Sequence, residues 1–149
     1  MADISHATLV MERTYNASPQ RVFAAWADVE ARRRWSAPAE NIAIVYEEAD
    51  FREGGRDVSR CIEPDNEDYV ATVYYLDIRN AERLVFAEDV KHGAKRVSTA
   101  LISITFIAKG AQTQLHLTLQ IASFDGSDME KGYQFGWSSA LDNLAKEFA

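Results

Sequence analysis

The stretch FREGGRDV, residues 51–58, sets Gly54 and Gly55 among arginines and acids, a composition suited either to cradling a phosphate or to turning the chain. A phosphate cradle follows a strand and opens a helix, so that backbone N–H groups and the helix dipole converge on the anion. Here a strand pattern resumes at Val58, so the spacing predicts a hairpin turn, with Arg52 and Arg56 as solvated flanks. GWSSA, residues 136–140, has the outline of a nucleophile elbow but lies inside a helical apolar repeat, which makes Ser138 and Ser139 ordinary helix residues. His6, His92 and His116 are scattered without the paired spacing of a metal site, so neither metal nor cofactor is expected. Cys61 has no visible base and reads as a buried structural thiol, while Glu47-Glu48 and Asp125 with Asp128 sit among turn residues as solvated charges. No residue is nominated as catalytic.

Binding chemistry is the alternative, and composition limits the partners. With 23 acids against 16 bases the formal charge is -7, which repels nucleic acid and anionic lipid. The nearest basic cluster, Arg32-Arg33-Arg34, falls on a predicted helix whose consecutive side chains point in different directions, so a solvated face is expected. A single cysteine excludes an intrachain disulfide, and no apolar run resembles a signal peptide or a membrane span. A cytoplasmic protein without membrane insertion is expected.

The elements that must position any site follow from periodicity. Residues 8–15 alternate Leu9, Met11, Arg13 and Tyr15 against polar neighbours as a strand. Ser18 and Pro19 then open a helix carrying Val22, Phe23 and Trp26, and DVEARRRW forms a second short one with Val29 and Trp35 inward. Six strands follow between Ile42 and Phe124, separated by short turn-like segments, which predicts an antiparallel sheet. Its inner face is expected to carry Ile42, Ile44, Tyr46, Leu76, Ile78, Leu84, Phe86, Ile102, Ile104, Phe106, Leu115, Leu117 and Leu119. Met129, Tyr133, Trp137, Leu141, Leu144 and Phe148 recur at three- or four-residue steps, predicting one helix over residues 129–148. Such a set buries its apolar faces only if the sheet curls around the last helix, an α+β helix-grip arrangement.

RTYNASPQRVFAAWADVEARRRW, DFREGG, YYLDIRNAERLVF and GWSSALDNL stand in an order and spacing that resemble the START-like (SRPBCC) superfamily. Within it, the chain is similar to the activator of heat-shock protein 90 ATPase homologue-like family. The resemblance covers nearly the whole chain, as one domain over residues 1–149. It implies a cavity between sheet and terminal helix for a small hydrophobic or amphipathic molecule, without evident catalysis. Phe86, Tyr133 and Trp137 would supply aromatic walls, Ile104 and Leu117 the floor, and Arg13 or Ser59 the contact to a polar or anionic group. It also implies two alternatives, a chaperone-binding or other protein-interaction module, and an enzyme using the same cavity. An exposed sheet edge or face would let two copies pair as a homodimer.

Two departures bear on the site. Relatives carry bulky apolar residues two and four positions after the double glycine, where this chain has Asp57 and Ser59. Either these residues give the cavity a polar side, or they face outward and Val58 and Ile62 supply the inner face. Arg13 shares a face with Leu9 and Met11, and a buried arginine needs an acidic partner or an anionic ligand group. Gly132 and Gly136 each cost the helix roughly 1 kcal/mol relative to alanine, which points to close approach of another surface or to room for a ligand.

Overall fold

The computed structural model describes residues 3–149. Strand β1 (Ile4–Tyr15) leads into helices α1 (Pro19–Ala27) and α2 (Val29–Trp35). Six strands follow: β2 (Ala43–Glu48), β3 (Arg56–Ile62), β4 (Tyr69–Arg79), β5 (Arg83–His92), β6 (Lys95–Lys109) and β7 (Gln112–Phe124). They form one seven-stranded sheet in the order β1-β7-β6-β5-β4-β3-β2, antiparallel at each pairing. The sheet curves around helix α3 (Glu130–Leu144), giving the helix-grip fold that periodicity implied.

Local chemistry sets the breaks. The Ser18 hydroxyl accepts from the Arg21 N–H at 3.3 Å and Pro19 occupies the first turn, as expected of an N-cap. Asp28 ends α1 and starts α2: its N–H donates to the Ala24 carbonyl at 3.0 Å while its carboxylate accepts from the Glu30 N–H at 3.0 Å. The two helices carry the chain from β1 at one edge of the sheet to β2 at the other.

The double glycine turns the chain between β2 and β3. Gly54 has a φ of +80°, and a Cβ on Gly55 would collide with the Asp50 carbonyl oxygen. The turn also docks on β4: the Gly54 N–H donates to the Tyr75 carbonyl at 2.9 Å and the Tyr75 N–H donates to the Gly55 carbonyl at 3.1 Å. The loop therefore fixes the position of a cavity residue and holds no anion-binding helix terminus.

Two expectations about these elements need correction. Regular α-helix stops at Leu144, and residues Ala145–Phe148 tighten into a 3-10 turn, a common way for a helix end to satisfy its last carbonyls. Phe148 still packs edge-on against Tyr15, with ring centroids 5.7 Å apart. Leu76 is 54% exposed on the outer face. A bulge between Tyr75 and Asp77 inserts an extra residue, so Tyr75 and Ile78 turn inward and Leu76 does not.

Packing divides the concave face into two halves. On the β6–β7 side, Ile102, Ile104, Leu115, Leu117 and Leu119 are wholly buried, and Phe106 meets Phe23 and Trp26 of α1. Leu141 and Leu144 of α3 are wholly buried in the same core. On the β2–β5 side, helix and sheet stand apart.

Candidate functional site

The gap between α3 and β2–β5 is a cavity of about 540 Å³, within the size range of small-molecule sites. Strand alternation brings Tyr46, Ser59, Tyr75, Phe86 and Glu88 to its sheet wall, while α1 and α2 contribute Trp26, Arg32 and Trp35. Helix α3 lays Tyr133, Gly136 and Trp137 along it. Trp137 stacks on Trp26 with 5.8 Å between centroids and 14° between planes, so the helix wall is flat and aromatic.

Arg32 is 6% exposed and Asp57 2% exposed, and they form a buried ion pair on which the Tyr75 hydroxyl also donates to Asp57. Arg32 Nη1 further donates to Tyr75 Oη at 2.9 Å, and the second Asp57 oxygen accepts from the Asp50 N–H at 2.9 Å. The guanidinium lies over the Tyr46 ring, 5.0 Å from its centroid. The expectation that Arg32 belongs to a solvated face is thus overturned. One turn of helix sends three successive side chains about 100° apart. Arg33 and Arg34 pair outside with Glu30 and Glu147, and Arg32 enters the core because Asp57 lies across from it.

The register of β3 is likewise decided. Asp57 and Ser59 face the cavity, together with Cys61, and Ile62 is exposed. Cys61 is half-buried in the wall where a buried structural thiol was expected, and burial raises its pKa, which keeps it protonated and a poor nucleophile. Deeper in, the Tyr133 hydroxyl and Ser98 Oγ share a hydrogen bond of 3.0 Å, and burial pushes the Tyr133 pKa up. Glu88 is pushed up to about 7 by burial first, with Asp89 adding to the rise and the Tyr133 hydroxyl opposing it.

Of the residues nominated for ligand contact, Ser59, Phe86, Tyr133 and Trp137 line this cavity and Arg13, Ile104 and Leu117 do not. Ile104 and Leu117 face each other across β6 and β7 in the filled half, beneath the buried end of α3. Arg13 lies on the edge strand β1, where it donates to Asp142 at 2.9 Å and to Ser138 Oγ at 3.0 Å. It has the acidic partner that a shielded arginine requires and is far across the sheet from the cavity. Alternation missed Arg32, Asp57 as its partner, Tyr75 and Glu88. The acid in place of an apolar residue after the double glycine was the one signal in the sequence.

The helix glycines border open space. A Cβ on Gly136 would meet nothing within 4 Å, and one on Gly132 only the end of Met129 at 3.8 Å. Both border the cavity, and no other surface of the described residues packs closely against them. Gly136→Ala should therefore stabilise the fold by about 0.5–1 kcal/mol in urea denaturation, through helix propensity, while narrowing the cavity.

Glu88 predicts a pH dependence. Its folded pKa of about 7 lies above the ordinary 4.5, so between those values the folded chain binds a proton that the unfolded chain has released. Its contribution to stability is thus fully present below about pH 4.5 and lost as pH rises towards 7. Glu88→Gln should remove that slope in denaturation curves recorded across this interval.

No three His, Cys, Asp or Glu side chains come together as a metal site among the described residues, and no described helix is long and apolar enough to cross a membrane. A model of the family described as activator of Hsp90 ATPase homolog 1-like protein matches residues 16–149. No curated protein matches the chain. Among solved structures, the chain is similar to the Mll3558 protein of Rhizobium loti, with 34% identity, a TM-score of 0.87 and coverage of 97% of this chain and 99% of that one. A protein from Rhizobium leguminosarum is 30% identical, with a TM-score of 0.89 over 99% of this chain and 97% of that one. An AHSA1-like protein from Aeromonas hydrophila, 20% identical, shares the fold with a TM-score of 0.72 over 95% and 91% of the two chains.

Proposed function

Because the chain belongs to the activator of Hsp90 ATPase homolog 1-like family, we propose that it uses its helix-grip fold to bind a small hydrophobic or amphipathic molecule between the sheet and α3. The carrying observation is the cavity itself: about 540 Å³ that side chains leave unfilled, with aromatic walls and a small polar group at Arg32, Asp57 and Tyr75. Protein interiors are close-packed, so a gap of that size between a sheet and its covering helix asks for an occupant. Apolar walls supply affinity and a few fixed polar groups supply orientation. Cys61 is held protonated and Ser138 is engaged by Arg13, so neither is a ready nucleophile.

A ligand that binds only the folded state stabilises it by about 2.7 kcal/mol at a hundred times its dissociation constant. A thermal-shift screen of fatty acids, sterols and aromatic metabolites should therefore raise the melting temperature and change tryptophan emission, because Trp137 and Trp26 form one wall. If no compound in such a set moves either signal, the ligand-binding reading fails. The alternative of a protein-docking module, for a chaperone, another protein or a second copy, is favoured by one observation. Tyr74 and Leu101, both well exposed, flank Ala87 in a single cross-strand row on the outer face. Sedimentation of the protein alone and with purified Hsp90 tests it, and Leu101→Glu should abolish any complex formed there.

A further inference from the structure

Resting on the ligand-binding reading of the cavity, we infer that its occupant is an organic cation, a protonated primary or secondary amine on an apolar body, with the ammonium group against Glu88. Two carboxylates stand in one cross-strand row on the cavity face. Asp57 pairs with Val73 and Val73 pairs with Glu88, so the two acids are two strands apart, about 10 Å along the sheet. Asp57 shows how this cavity holds a positive charge. Arg32 is paired with it and lies over the rings of Tyr46 and Phe51, 5.0 Å and 5.9 Å from their centroids. Glu88 has comparable surroundings without the cation. No arginine, lysine or histidine among the described residues pairs with it, while Phe86, Tyr133 and Trp137 line the cavity beside it.

Glu88 keeps part of its surface open to the cavity, so an occupant can reach it. From α3 the Tyr133 hydroxyl faces it, and that hydroxyl also shares a hydrogen bond of 3.0 Å with Ser98 Oγ. Its cross-strand neighbours are Val73 and Ala100, both uncharged. Asp89, next in the chain, points to the outer face, where it is paired with Arg96 at 2.7 Å, and its effect on Glu88 is that of a like charge. A carboxylate has about four lone-pair sites, of which one hydroxyl fills one, whereas an ammonium group brings several N–H donors and the missing charge. In the empty cavity a proton takes that place, which is why the group titrates near neutrality.

The rest of the wall agrees in sign. Among the described residues, Arg32 is the single cation lining the cavity and Asp57 already matches it, which leaves Glu63 and Glu88, both acids. An anionic ligand would thus enter a wall whose uncompensated charge is negative, in surroundings too apolar to screen it. This replaces the anionic group expected opposite Arg13, since Arg13 is engaged elsewhere by Asp142. Aromatic rings add attraction of the same sign, because their faces are negative. Phe86 shares one face of β5 with Glu88, two residues away, and meets the ring of Trp137 with 6.4 Å between centroids. The ammonium end therefore belongs at Glu88, and the apolar body lies along Phe86, Trp137 and Val73.

Three probes share one apolar body and differ in charge: 3,3-diphenylpropylamine, 3,3-diphenylpropan-1-ol and 3,3-diphenylpropanoate. Titration calorimetry on the intact protein near neutral pH should rank the amine first, tighter than the alcohol by roughly tenfold or more, the scale of a charge-assisted hydrogen bond, with the carboxylate weakest. Repeating the amine titration in buffers of different ionisation enthalpy should show release of about half a proton per site, because a carboxyl with a pKa of about 7 is half protonated before the ammonium arrives. The alcohol should release none. Glu88→Gln keeps the shape of the side chain and, once checked for a cooperative melt, should lose both the amine's advantage and the proton release without weakening the alcohol. Glu63→Gln should keep both. An alcohol or carboxylate that binds as tightly as the amine overturns the charge preference and leaves a binding cavity in place. A preference that survives Glu88→Gln, or is lost in Glu63→Gln, overturns the residue named, as does amine binding without proton release. Failure of all three to bind overturns this inference, and together with a negative thermal-shift screen the ligand-binding reading as well.

Discussion

Arg32→Ala should destabilise the protein by about 3–5 kcal/mol in urea denaturation, the usual result of removing one partner of a buried ion pair. The loss would come from Asp57, left charged and 2% exposed with only the Tyr75 hydroxyl and the Asp50 N–H as donors. Asp57→Ala should do comparable damage from the other side, stranding the guanidinium and releasing the Asp50 end of the double-glycine loop. The informative variant is the double one: Arg32→Met with Asp57→Leu removes both charges, and should recover most of the loss. If either single variant loses under about 1 kcal/mol, as ordinary surface changes do, the pair is not buried as described. Recovery in the double variant would also show that the pair is kept for something other than stability.

Leu141→Ala should cost about 2–5 kcal/mol and exceed the cost of Trp137→Ala, although tryptophan is the larger side chain. Leu141 is wholly buried against the filled half of the sheet, and its carbonyl accepts the Tyr15 hydroxyl at 2.7 Å. Trp137 is only partly buried, with one face on Trp26 and the rest turned to the cavity. Truncating Trp137 enlarges a space that already exists, whereas truncating Leu141 opens one where none was. Chemical denaturation of the two variants gives the order directly, and the reverse order would place the cavity at the other end of α3.

The order of elements was readable because each carries its own local signal. Ser18 and Pro19 mark one helix start, alternation marks the strands, and the Met129 to Leu144 stripe marks the covering helix. The site was readable only in part, for reasons that are physical. Alternation tells which face of a strand a residue occupies but not where along the curved face sheet and helix separate. Ile104 and Phe86 therefore looked alike, and only one reaches the cavity. Leu76 was misplaced because a bulge resets the count with no residue type that announces it. Arg32 and Asp57 lie 25 positions apart on different elements, and nothing local in either segment records that they meet.

The placement of β1 has a consequence for how the chain comes to be folded. Its pairing with β7 joins residues 98 positions apart at Tyr15 and Thr113, and 120 apart at Ile4 and Phe124. On a ribosome, the strand made early has no hydrogen-bonding partner until nearly all the rest has emerged. β2 to β7 can assemble progressively as neighbouring hairpins, each closing a short loop, whereas β1 must wait. Until then β1 stands unpaired and the outer edge of β6 is open, beside the apolar half of the sheet, as templates for another chain. Slowing or truncating synthesis just before residue 113 should therefore favour aggregation far more than the same interruption within the earlier hairpins.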